Sequence, residues 1–446
     1  MNRRRRLLLV SYHFPPVGGA GVQRPVKFAR YLPEFGWDVS VLQAANPSVP
    51  LLDPTLLDEL SADTVIEKAR TFEPSYAAKQ AVNMREGANT AATPRPSRLR
   101  RLLKSAATVT LQPDAQILWL PDAVRHGRQL LRRLPHDAIL ATAPTYTNLL
   151  VGALLAKHSG LPLICDYRDE WDISSTYWEN APKARLAHAV QGRMQRFVLR
   201  RSAAIVATTK ASTARVAMRA GEAGVTLVAR CIYNGWDAGD LAEAAHVAPA
   251  LPRMPGTFRL VYAGTLWNLT SIAPVAAAVE LLARESPALV SRLELVAVGR
   301  KTPDQLAQLQ RVAAAGATVE NLDYAPHPVA LATMTSADAV LLLLSDVPGA
   351  ERVAPAKVFE YLAVRRPILA VLPEGEIAEL VRESDADSHR LPSDVTGIAS
   401  WLRHRLAGKV NAAPAGNDAQ IARFERRALS GELAGLLDEL MAERAT

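Results

Sequence analysis

ADAVLLLLSDVPGAERVAPAKVFEYLAVRRPILAVL, residues 337 to 372, is the stretch whose reading decides the fold. An apolar run, ADAVLLLL, leads through a loop rich in Pro, Gly and Ala into a helical stretch, and a second apolar run, RPILAVL, closes it. Short apolar runs without alternation read as strands covered on both faces. Two such strands joined through a helix lie parallel, as a β-α-β unit. The loop after the first strand then lies at a strand carboxyl end, where open α/β sheets receive ligands. The pattern starts the helix near Pro355, a residue favoured in a first turn. Lys357 and Glu360 follow three residues apart, on one helix face. An ammonium beside free helix N–H groups, in the loop Ala354–Lys357, suits a diphosphate. A carboxylate one turn later can accept the hydroxyls of a ribose. The same two residues also fit an ordinary solvated helix face.

The alternation of apolar runs and helical stretches continues along the whole chain and argues for α/β with mostly parallel sheets. RRLLLVSY, WDVSVL, DAILAT, LPLICD, AAIVATT and VTLVARC are the expected strands of the first half; FRLVYAG, LELVAVG, ADAVLLLL and RPILAVL are those of the second. With 446 residues the chain is too long for one ordinary core. The Ala- and Pro-rich stretch around residues 246–256 has the composition of a linker, which puts domains at residues 1–245 and 257–412. A helical tail occupies residues 413–446, with Ile421, Phe424, Leu429, Leu433, Leu436 and Leu437 on one side. No repeat of fixed period is present.

Near the start, SYHFPPVGGAGVQRPVKFARYL, residues 11 to 32, makes a glycine-rich passage from strand to helix. Such a turn brings backbone N–H groups close to an anion. A dinucleotide fingerprint needs a third glycine where Arg24 stands, which disfavours a nicotinamide enzyme.

Composition bounds the function further. The 32 Lys and Arg against 21 Asp and Glu in residues 1–245 contrast with 20 against 23 in the rest, so the net +8 belongs to the first half. Such a surface suits nucleic acid, anionic lipid or a phosphorylated substrate, or simply solubility. No basic stripe interleaved with aromatics and no nucleic-acid module occurs, so nucleic acid is not an expected partner. Cys165 and Cys231 lie in apolar runs and read as buried free thiols of a reducing compartment. No His/Cys spacing fits zinc. No apolar run is long enough to span a bilayer, and Leu7 to Val10 is too short for a signal peptide. Residues 46–116 form a long insertion containing Arg95, Arg98, Arg100, Arg101 and Lys104 without an acidic residue among them. With Leu99, Leu102 and Leu103 opposite, this reads either as a membrane-surface segment or as a disordered basic loop.

Nine pieces in order, YHFPPVGGAGVQR, GWDVSVL, ILWLPDA, ATAPTYTN, LICDYRDEW, IYNGWD, LVYAGTLW, AVGR and APAKVFEYLAVRRPILAV, give the chain a resemblance. It resembles nucleotide-sugar glycosyltransferases of the GT-B fold, close to glycosyltransferase family 4, in the branch of bacterial surface-polysaccharide pathways. The resemblance implies two Rossmann-like domains facing a cleft, with the C-terminal helix crossing back to the first domain. It implies a donor site in the second domain, with Glu360 on the ribose, Ala356 and Lys357 at the diphosphate, and Gly264 letting the backbone approach the nucleotide. Gly18 and Gly19 would face the sugar-phosphate from the first domain, which would receive a glycan or lipid-linked acceptor.

The chain departs from the family pattern in three places. Of the family's two glutamates seven residues apart, the first position holds Arg352, and Glu351 stands one place off. The basic diphosphate clamp after the AG turn is replaced by TLWNLTS, leaving Arg300, Lys301 or Lys357 to stand in. The family's first-domain His is replaced by DYRDEW, which offers Asp166, Arg168 and Asp169 as catalytic groups or, alternatively, as a structural Asp–Arg pair at a strand end. With helix N–H groups and a lysine meeting the departing diphosphate, no metal and no cofactor are expected. Retention of the anomeric configuration is implied by the resemblance alone. The expected product joins a polysaccharide or lipopolysaccharide precursor. The expected location is the cytoplasm, peripheral on the inner membrane face if the basic residues Arg98, Arg100, Arg101 and Lys104 dock there. A nucleotide-sugar epimerase of the same fold and a degenerate GT-B binding protein are the alternatives.

Overall fold

The computed structural model describes residues 3–49, 51–76, 111–173, 185–408 and 418–445. They divide into two compact units: one runs to Tyr233 and takes in the chain from Leu429, and the other spans Asn234–Ala428.

The first unit is built on seven parallel strands: β1 (Arg5–Val10), β2 (Trp37–Ala44), β3 (Val65–Ala69), β4 (Ala138–Ala143), β5 (Leu163–Tyr167), β6 (Ser202–Ala207) and β7 (Val228–Cys231). Their order is β3-β2-β1-β4-β5-β6-β7. Successive residues of β1 serve opposite faces, as the period of a strand requires. Leu8 and Val10 join a core with Trp119 and Leu155. Leu7 and Leu9 join the other core with Val26, Trp37 and Leu433. Both faces are covered, which is why LLLV has no polar member. The C-terminal helix, Arg426–Ala445, is part of this second core through Leu429, Leu433, Leu436, Leu437 and Leu440, all buried.

The second unit has six parallel strands, β8 (Phe258–Ala263), β9 (Leu293–Val298), β10 (Thr318–Leu322), β11 (Ala339–Leu343), β12 (Ile368–Val371) and β13 (His389–Arg390), in the order β10-β9-β8-β11-β12-β13. β11 and β12 are the two apolar runs of residues 337 to 372, paired in parallel from Val340–Ile368 to Leu343–Val371. The helix between them spans Lys357–Ala363, two residues later than Pro355 suggests.

Three strands, β3, β10 and β13, have no counterpart among the expected ones. All three are sheet edges; β3 and β10 are largely half-exposed and partly polar, and β13 has two residues, so none shows an apolar run. β3 also means that residues 46–116 are not wholly an insertion. Residues 246–256, read as a linker, belong to the second unit. The buried Arg259 guanidinium, paired with Glu294 at 2.7 Å, also donates to the carbonyls of Leu251 and Pro252 and ties this segment down. Neither cysteine is in a disulfide; Cys165 is buried, which pushes its thiol up to about 12, whereas Cys231 is only half-buried on the edge strand β7. Among the described residues no helix is long and apolar enough to cross a membrane.

Candidate functional site

Strand order reverses between β8 and β11 in the second unit, and the loops at such a point form the ligand crevice of an open parallel sheet. β8 ends in Gly264, whose φ of 138° is open only to glycine. A Cβ there would lie 2.6 Å from Nζ of Lys357. The space that glycine leaves is filled by the lysine ammonium, so the backbone expected to approach a nucleotide lies against Lys357. Gly299, at the end of β9, has φ 119°, and a Cβ on it would strike the Gly264 carbonyl oxygen at 2.5 Å. The two glycines let the ends of adjacent strands close up.

The helix Lys357–Ala363 supplies three groups to this corner. Lys357 Nζ donates to the Tyr262 hydroxyl at 2.7 Å and lies 4.0 Å from the centre of that ring. One turn on, the Tyr361 hydroxyl accepts from the Ala263 N–H at 3.2 Å. Glu360 Oε1 meets Nε2 of His327 at 2.9 Å, and among the described residues Oε2 has no hydrogen-bond partner. Burial raises the Glu360 pKa, but the His327, Arg426 and Lys357 charges and the His327 hydrogen bond outweigh it, so the carboxyl ends below its ordinary value. Ala356 offers no side-chain cap, and the helix is only seven residues long. Its dipole is slight, and anion charge falls on the side chains.

The other expected donor groups divide. Arg300 is exposed at the end of β9, with its carbonyl accepting from the Leu266 N–H at 2.8 Å and its guanidinium unpaired among the described residues. Lys301 is withdrawn: its ammonium donates to the carbonyls of Ala297, at 2.8 Å, and Leu322, and burial lowers its pKa to about 8. Glu351 is exposed and pairs with its neighbour Arg352 at 2.8 Å. Among the described residues no contact brings it onto Glu360.

In the first unit the order reverses between β1 and β4. Gly18 packs against the connection that follows β2, where a Cβ would lie 3.0 Å from Leu51 and Asp53, so its smallness lets the two loops meet. Gly19, φ 96°, stands at the N-terminus of the helix Ala20–Tyr31, with Leu51 3.8 Å from an added Cβ. Asp166, expected as catalytic, is buried at the end of β5. Both its oxygens are engaged, by Arg24 at 2.9–3.2 Å and by the Thr142 hydroxyl at 2.8 Å. Arg24 also donates to the carbonyls of Ile232 and Tyr233. The geometry is that of a structural pair, because a carboxylate so saturated has no lone pair for a substrate. Arg168 donates to the Gly21 carbonyl at 2.7 Å and to Asp169 at 3.3 Å. It thus ties the glycine-rich loop to the strand end, and its partly exposed partner Asp169 stays within reach of solvent.

The basic residues Arg95, Arg98, Arg100, Arg101 and Lys104 lie outside the described residues. Sequence reasoning missed His327, which meets Glu360, Asp240, which faces the other ring nitrogen of His327, and Tyr262, which holds Lys357. Only the proline-flanked His in APHPV, ahead of a helix, could have drawn attention.

Residues 18–231 match the model of the glycosyl transferase 4-like domain. A comparison with curated proteins gives no match. Among solved structures, the chain is similar to Anabaena Alr3699/HepE in complex with UDP, at 17% identity and TM-score 0.55 over 98% of this chain and 100% of that one. It is similar to an α,α-trehalose-phosphate synthase (UDP-forming) from Burkholderia vietnamiensis, at 14% identity and TM-score 0.63 over 99% and 98%. The synthase from Burkholderia xenovorans in complex with glucose-6-phosphate matches at 13% identity and TM-score 0.59 over 99% and 100%. At such identities the likeness shows the fold.

Proposed function

We propose that the chain, whose residues 18–231 match the glycosyl transferase 4-like domain, is a glycosyltransferase that moves a sugar from a UDP-sugar onto a glycan or lipid-linked acceptor of surface-polysaccharide assembly. One observation carries the donor site. Lys357 and Glu360, one turn apart, stand at the reversal point of the second sheet, the ammonium against the β8 turn and an open carboxylate oxygen beside it. Glu360 Oε2 accepts from a ribose hydroxyl; Lys357 and Arg300, whose guanidinium has no partner among the described residues, face the diphosphate. The UDP complex of the Anabaena protein supports uridine as the base.

In the transfer, the acceptor hydroxyl oxygen bonds to the anomeric carbon as the bond from that carbon to the diphosphate oxygen breaks. The hydroxyl proton passes to the departing phosphate, with retention of configuration. The negative charge that develops is met by fixed cations, which act best where water is excluded. On this reading no metal is required.

The test is release of UDP from a panel of UDP-sugars, with and without acceptor and with excess EDTA. Turnover in EDTA is expected; activity lost there and restored by magnesium would overturn the metal-independent route. Calorimetry with UDP should show Glu360→Ala binding more weakly by about 1.5–3 kcal/mol, the worth of hydrogen bonds to a charged group. Equal affinity in a folded variant removes Glu360 from the site.

A further inference from the structure

We infer that His327 is a positioning residue for the donor nucleotide: it clamps Glu360 as an imidazolium, so UDP affinity depends on the proton it carries. The inference rests on the donor-site reading above and concerns how that site is held.

His327 opens the helix His327–Thr335 and lies between two carboxylates from different elements. Its Nε2 is 2.9 Å from Glu360 Oε1, and its Nδ1 is 3.7 Å from Asp240 Oδ2 on the helix Ala238–Ala244. A neutral imidazole carries one N–H. If that proton served Glu360, the bare Nδ1 lone pair would face the Asp240 carboxylate; the doubly protonated ring presents an N–H to each. Arg426, at the start of the C-terminal helix, opposes the proton, and Lys357 adds positive charge beside Glu360. Burial lowers the His327 pKa, yet the charges of Glu360 and Asp240 and the Glu360 hydrogen bond outweigh burial and Arg426, so it ends above the ordinary value.

The sign follows directly. A histidine whose pKa is raised on folding contributes fully below about 6.5 and loses that contribution as pH rises through the raised value. Losing the proton removes the ion pair that fixes Oε1 and leaves at most a neutral N–H there, with a bare lone pair facing Asp240. It also leaves one more uncompensated negative charge close to where an anionic nucleotide binds. Both effects weaken UDP binding, and Glu360, with its lowered pKa, stays ionised throughout.

Wild type, His327→Gln, Asp240→Asn and Glu360→Gln are titrated with UDP by calorimetry between about pH 6 and pH 9. The ionisation of UDP is common to all and cancels in ratios to His327→Gln. Relative to that variant, wild-type affinity should fall about tenfold across the range, the loss of the ionic part of one bond to a charged group. Asp240→Asn should move the midpoint of the fall to lower pH. If His327→Gln follows the wild-type curve, the inference fails. Should that variant not fold, an unmoved midpoint in Asp240→Asn overturns it equally. Glu360→Gln separates the two levels: binding equal to wild type at about pH 6 means that the donor-site reading itself is wrong.

Discussion

At the scale of single residues, Arg24 and Asp166 show how a carboxylate at a strand end is assigned to structure or to chemistry. Asp166 is 1% exposed and Arg24 3%; Arg24 and Thr142 engage both oxygens of Asp166, and Arg24 also donates to the carbonyls of Ile232 and Tyr233. Removing one partner leaves a buried uncompensated charge, which costs about 3–5 kcal/mol. Asp166→Ala should therefore lower folding stability by that amount, read as a shift of the urea midpoint. Arg24→Met combined with Asp166→Leu should recover a large part, because no charge is then stranded. A purely catalytic aspartate would leave the midpoint where it was and remove turnover alone.

At the scale of elements, the helix Arg426–Ala445 completes a core that the chain before it leaves open. Five leucines from Leu429 to Leu440 are buried against β1, β2 and the helix Ala20–Tyr31, and Trp37 Nε1 donates to Asp438 at 3.0 Å. Gly431 lets the helix approach Phe35, where a Cβ would sit 3.0 Å from the ring. At about 1.5–3 kcal/mol for each buried leucine, the helix contributes on the order of 10 kcal/mol, comparable to the whole stability of a domain. A chain ending at Ala428 should lose the cooperative unfolding transition of the first unit, while hydrogen exchange in the strands β8 to β12 stays slow. A truncated chain whose first unit melts as before would show that this burial is dispensable.

At the scale of the molecule, charge is distributed unevenly. The excess of basic residues lies in the first 245 positions, and five of them, Arg95, Arg98, Arg100, Arg101 and Lys104, fall close together without an acidic neighbour. Attraction of such a cluster to anionic lipid is additive and is screened within a Debye length. The protein should sediment with anionic vesicles at low salt, dissociate steeply as salt rises, and ignore neutral vesicles. Changing the five residues to Gln should reduce sedimentation and leave UDP affinity intact, since Glu360 and Lys357 belong to the other unit. Binding that salt does not weaken would place the attachment elsewhere.

The sequence by itself determined the α/β class and ten of the strands, because a strand covered on both faces must be apolar throughout and that signature is local. It also placed Lys357 and Glu360 at the mouth of a parallel sheet, since strand, loop and helix there are contiguous. Edge strands such as β10 escaped, because one flank of each meets water and the apolar run disappears. Only the tertiary structure decided which charges are engaged. Asp166 meets Arg24 across 142 positions, and Glu360 meets His327 across 33. Lys357 fills the space that Gly264 leaves, and Lys301 turns into backbone carbonyls while Arg300 beside it stays open. Each pairing depends on strand register and helix packing acting together. An ionic partner is chosen by distance in space, which no local periodicity encodes.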